Sequence, residues 1–118
     1  MPAFSFGATA LSTGDKLAVL NAENLASGGL TAPVVFTPQP TPVTLAIVNA
    51  SSVTVSLVAS ADNKSDGSTY CPVYAGETAI TVATDTVGVF SVAFGLFYAV
   101  KAGGSITAGP IWLARSRT

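Results

Sequence analysis

From Val43 to Ser60 the chain alternates between apolar residues and small or hydroxyl-bearing ones. Leu45 and Ile47 are set off by Thr44 and Ala46, and Val53, Val55 and Leu57 by Thr54 and Ser56. A period of two sends successive side chains to opposite faces of a strand, so each run has a dry face and a polar one. Asn49-Ala50-Ser51-Ser52 lies between the runs and is made of turn-forming residues, so the pair is expected as a β-hairpin. The same pattern recurs downstream. A polar loop (Asp62 to Ser68) leads to a short strand around Tyr70 to Tyr74, a turn at Gly76, and a strand over Thr78 to Ala83. Val87 to Phe94 and Leu96 to Val100 are apolar on both faces and broken at Gly95. Gly103-Gly104 turns the chain toward Ile106, and Pro110 leads into Ile111-Trp112-Leu113. Short strands at this spacing, joined by small-residue turns, are the signature of a β-sandwich or barrel; the expected fold is all-β, an antiparallel, jelly-roll-like β-sandwich over residues 43–118.

Residues 1–42 read differently. Pro33, Pro38, Pro40 and Pro42 fall within ten positions. Proline fixes φ and drives its predecessor into extended geometry, so this stretch predicts an extended connector. Together with the preceding residues it forms an expected amino-terminal arm. The one stretch compatible with a helix is Asp15 to Ala26. There Leu17, Leu20 and Leu25 can share a face, with Thr13 as N-cap and Gly28-Gly29 as stop.

Composition narrows the function. Only 9% of the 118 residues are charged, the net charge is −1, and 49% are hydrophobic. A chain this apolar and this poor in charge is not intrinsically disordered. It also lacks the electrostatic footprint that nucleic acid or an anionic membrane surface requires, so neither is an expected partner. Arg115 and Arg117 are too few to change that. They are expected to keep the tail solvated or to meet acidic groups on a neighbouring chain. The charge-free stretch 86–100 is shorter than the roughly 20 residues of a membrane-spanning helix. The opening residues, Met1 to Gly7, show neither the basic start nor the apolar run of a secretory signal, so none is expected.

Reactive chemistry is poorly represented. There is no histidine, which removes the commonest general base and metal ligand. One cysteine, Cys71, cannot form an intrachain disulfide or a zinc site, and before Pro72 it is expected to be a small buried hydrophobe. Asp15, Glu23, Asp62, Asp66, Glu77 and Asp85 sit among turn residues, with no spacing that selects a catalytic pair. Asp62 to Gly67 partly imitates a calcium loop, but Lys64 occupies a ligand position and Val73 stands where the bidentate Glu belongs. No phosphate loop or Gly-x-Ser-x-Gly elbow occurs. The chain is expected to be non-enzymatic, with no catalytic residue, metal or cofactor.

What is abundant is apolar surface. Phe90, Phe94, Leu96, Phe97, Tyr98 and Val100 crowd eleven positions on both faces of their strands. Two readings fit: a central strand half covered by the Pro-rich connector, or a strand with one face in a subunit interface. Phe4 and Phe6, spaced by one residue near the amino terminus, suit an arm docked on a neighbour. The candidate contact residues are therefore Phe4, Phe6, Phe94, Phe97, Tyr98 and Trp112. An alternative use of aromatics, stacking on sugar rings, would employ Tyr70, Tyr74, Tyr98 and Trp112 with the loop 62–69.

Three segments together carry a family likeness. Ile47-Val48-Asn49-Ala50-Ser51-Ser52-Val53-Thr54-Val55-Ser56-Leu57-Val58 is followed by the turns Ala75-Gly76-Glu77-Thr78 and Ala102-Gly103-Gly104-Ser105-Ile106. Over residues 43–108 this order resembles small β-sandwich structural proteins of tailed bacteriophages, of the head-decoration (cement) or virion-associated type. Gly104 stands where that family's second turn carries an acid. The resemblance implies a virion protein, assembled in the host cytoplasm, that bridges neighbouring capsid subunits. Its implied partners are the major capsid protein or other virion proteins, and copies of itself in a homo-oligomer. A tail, neck or fibre component is the neighbouring alternative, and a carbohydrate- or receptor-binding module the more distant one.

Overall fold

A computed structural model describes residues 9–11, 15–20, 24–36, 43–62, 69–92, 96–107 and 110–115. They form twelve strands and no helix: β1 (Thr9–Leu11), β2 (Lys16–Leu20), β3 (Val34–Phe36), β4 (Val43–Asn49), β5 (Val55–Ser60), β6 (Cys71–Pro72), β7 (Tyr74–Ala75), β8 (Thr78–Ala79), β9 (Thr81–Val82), β10 (Thr86–Val92), β11 (Phe97–Ala102) and β12 (Ile111–Arg115). The first sheet runs β1-β3-β11-β5-β6, with β9 also paired to β5. The second runs β10-β4-β12-β2, and β7-β8 is a separate small ribbon. All pairings are antiparallel except β1 with β3, which is parallel.

The two larger sheets share one apolar core, a sandwich-like arrangement. Val34, Phe36, Val55, Leu57, Tyr98 and Val100 come from the first sheet. Val19, Leu20, Val43, Leu45, Ile47, Ile111 and Leu113 come from the second. The alternation read in β4 is reproduced residue by residue: Val43, Leu45 and Ile47 are buried, while Thr44, Ala46 and Val48 are half-buried on the other face. Each fully buried Leu or Ile contributes roughly 1.5–3 kcal/mol by leaving water.

The structure departs from the sequence reading in four places. First, the runs around Asn49 are not a hairpin. β4 pairs with β10 and β12, whereas β5 pairs with β11, β6 and β9, so the connection crosses from one sheet to the other. Asn49 organises the crossing from a fully buried position. Its Nδ2 donates to the Val53 carbonyl at 2.8 Å and the Val82 carbonyl at 2.9 Å, while its Oδ1 accepts from the Ser51 N–H at 3.0 Å and the Ser51 hydroxyl at 2.6 Å.

Second, the expected helix over Asp15 to Ala26 is not formed. Its first part is β2, and Leu25 makes an isolated antiparallel bridge with Ile106. The register of β2 against β12 slips at Val19, since Leu20 faces Ile111 and Ala18 faces Trp112. A bulge there lets the consecutive residues Val19 and Leu20 both enter the core. That bulge hides the period of two and leaves a spacing that imitates a helical face.

Third, the described part of residues 1–42 does not stand outside the sheets. β1 and β3 belong to the first sheet and β2 to the second, and Leu11, Val19, Leu20, Leu25, Val34 and Phe36 are core residues. The extended geometry expected for the Pro-rich stretch is present over Val34–Phe36, as a strand paired on both sides. Residues 37–42 lie outside the described residues.

Fourth, Arg115 is not a solvated tail residue. It is buried, its Nη1 donates to the Leu11 carbonyl at 2.7 Å, and its guanidinium carbon lies 5.9 Å from the centre of the Phe36 ring. A strand of the second sheet is thereby tied to the edge strand of the first. Arg117 lies outside the described residues.

Candidate contact surface

Apart from the bulge in β2, the strands of the second sheet alternate, so the residues that do not enter the core lie together on its outer face. Register places Val87, Val48, Trp112 and Ala18 in one row across the four strands. Val89, Ala46, Ala114 and Lys16 form the next row, and Ser91 with Thr44 the third. Lys16, at the far edge, is the one charged residue in these rows. The β10 end is the most open: Val87 is 57% and Val89 62% exposed. Together with Val48 and the half-buried Trp112, these exposed valines make a continuous apolar platform on this face.

The outer face of the first sheet is more mixed. Phe97 is half-buried there, in register with Val35 and Ser60. Ala99 and Val58, also in register, are fully covered, while Lys101 is exposed. Tyr98 points the other way. It is core, with its ring 5.2 Å from that of Phe36 and tilted by 35°.

The sequence-derived contact residues therefore do not converge on one surface. Trp112 lies on the outer face of the second sheet, Phe97 on the outer face of the first, and Tyr98 between the sheets. Phe4, Phe6 and Phe94 lie outside the described residues. The sugar-stacking set scatters likewise. Tyr98 is internal and Trp112 belongs to the second sheet, whereas Tyr70 and the 60% exposed Tyr74 flank β6 at the edge of the first. The residues that sequence reasoning passed over are Val87 and Val89. The signal was present in their alternation with Gly88 and Phe90, but a run apolar on both faces reads as buried.

The polar groups cluster locally. Asp62 Oδ1 accepts from the Ser60 hydroxyl at 3.0 Å and the Thr69 hydroxyl at 2.6 Å, closing the base of the polar loop. Burial, with the Asp62 charge as a second cause, pushes the Tyr70 phenol up to about 12. Residues 63–68, the centre of the calcium-like stretch, lie outside the described residues. Among the described residues no group of three or more His, Cys, Asp or Glu side chains is placed to hold a metal ion. Among them also, no helix is long and apolar enough to cross a membrane. Cys71, expected to be buried, is exposed on β6, a two-residue edge strand too short for alternation to assign its faces.

No protein-family model, curated protein or solved structure matches the chain, so none of these comparisons links it to phage structural proteins.

Proposed function

We propose that this chain is a non-enzymatic structural component of a virion, of the head-decoration (cement) type, which stabilises a shell by bridging neighbouring capsid subunits. The observation that carries the reading is the outer face of the second sheet: apolar and nearly free of charge, it is suited to lie against another protein surface. The motif order over residues 43–108 supports it independently. In this proposal the paired sheets are a jelly-roll-like scaffold, the chain acts as a homo-oligomer, and the amino-terminal segment with Phe4 and Phe6 reaches a neighbouring subunit. The dispersal of the aromatics over three locations weighs against the carbohydrate-binding alternative.

Quantitative mass spectrometry of gradient-purified particles from the virus that encodes this chain tests the reading. A copy number comparable to that of the main shell protein is expected. A few copies per particle would favour the tail, neck or fibre alternative. Absence from particles would overturn the proposal.

A further inference from the structure

Most of the sheet edges among the described residues are blunted. In the first sheet β1 has three residues, β9 two, and β6 two, one of them Pro72. In the second sheet β2 has five residues, carries Lys16 and is bulged at Val19. Short length, Lys, Pro and bulges are the devices by which natural sheets refuse further strands. β10 has none of them. It runs seven residues, Thr-Val-Gly-Val-Phe-Ser-Val, without charge or proline, in unbroken register with β4, its one partner strand among the described residues.

We propose that β10 is a pairing edge and that its occupant is β10 of a second copy of this chain, running antiparallel about a twofold axis. The two four-stranded sheets then become one sheet of eight. The inference deepens the assembly reading by naming its contact surface, and it rests on that reading for the choice of occupant.

Three features favour a second copy. Pairing that uses the whole strand is centred on Val89, which then faces its own counterpart. Val87 faces Ser91, Gly88 faces Phe90 and Thr86 faces Val92, so no residue meets a like charge. Asp85, the nearest charged residue, lies just before the strand, about 27 Å from its counterpart at ~3.4 Å per residue. The two Val89 side chains also join the Val89–Ala46–Ala114 rows of both copies into one apolar row across the axis, while each Val87 lies beside the other copy's Ser91. Finally, the area suffices. A seven-residue strand is about 24 Å long, and a two-sheet edge about 20 Å deep. Each copy therefore covers about 500 Å², and the pair reaches the ~1,000 Å² at which specific interfaces begin. A contact of that size forms a dimer that dissociates on dilution.

Sedimentation of the purified full chain over a range of concentrations tests this. The mass is expected to rise from one copy to two, and Val89→Lys, at an exposed position, is expected to raise the midpoint concentration by about tenfold or more by opposing two like charges. A register test does not depend on that variant. In a Cys71→Ser background, Val89→Cys is expected to cross-link to itself under mild oxidation. Val87→Cys should not, unless it is mixed with Ser91→Cys. A chain that stays monomeric throughout overturns the inference and leaves the particle copy number to decide the proposed function. A dimer that is indifferent to Val89→Lys and shows no cross-link at position 89 also overturns it, while leaving the assembly reading intact.

Discussion

At the scale of single residues, Asn49 shows how one amide can decide a connection. All four of its hydrogen bonds are made inside the protein, two of them to carbonyls of separate segments around Val53 and Val82. Removing the side chain leaves buried acceptors and donors without partners, which costs more than a hydrogen bond's net worth of about 1 kcal/mol. Asn49→Ala is expected to lower the unfolding free energy by about 3 kcal/mol, a loss measurable by urea denaturation. Tyr70 gives a pH signature. Its folded-state pKa of about 12 lies above the ordinary 10.0, so the folded chain holds the phenolic proton more tightly than the unfolded chain does. The stability associated with this proton is complete below pH 10 and is lost as the pH rises toward 12. Absorbance titration should show one tyrosine ionising late, and Asp62→Asn should bring that ionisation down. Neither feature could be read from the chain. An Asn in an Asn-Ala-Ser-Ser run reads as a solvated turn, and its burial follows from what packs above it.

At the scale of elements, turns and bulges separate what was legible from what was not. The strands within 43–60 and at Ile111-Trp112-Leu113, and the Gly76 turn, were visible because alternation and turn chemistry are local. At Gly76 the φ of +68° matches the first loop position of a tight two-residue hairpin between β7 and β8, where glycine is the natural occupant. Gly103 is required for a different reason. A Cβ there would stand 2.5 Å from the Thr54 carbonyl oxygen, to which the Gly103 N–H itself donates at 3.0 Å. Because that neighbour is backbone, it cannot swing aside. Gly103→Ala is expected to destabilise by about 1–3 kcal/mol, read as a fall in Tm by thermal circular dichroism, with Gly104→Ala much milder because its nearest neighbour is a Val53 methyl at 3.4 Å. β2 was misread because its bulge against β12 is a property of the pair. Nothing within Lys16–Leu20 announces that Val19 will be the extra residue.

At the scale of the whole molecule, the division of the chain at residue 42 is replaced by interleaving. The first strands alternate between the sheets, and Arg115 near the carboxy end closes onto Leu11 near the beginning. A chain starting at residue 43 therefore loses six core side chains with β1, β2 and β3. At roughly 1.5–3 kcal/mol each, that loss exceeds the few kcal/mol by which small domains are stable. Such a truncation is expected to show no cooperative unfolding transition in denaturant, whereas an outlying arm could be removed without that consequence.

The sequence by itself determined the β class, the inward and outward sets of the long central strands, and the scarcity of groups able to do acid–base or metal chemistry. These are properties of composition and of a period of two, which each segment carries within itself. Only the tertiary structure decided which strands share a sheet, that Arg115 and Asn49 are internal while Cys71, Val87 and Val89 are not, and that β10 is an unblunted sheet edge among the described residues. Those depend on pairings between residues far apart in the chain, and a local pattern is the same whether the neighbour across it is another strand or open solvent.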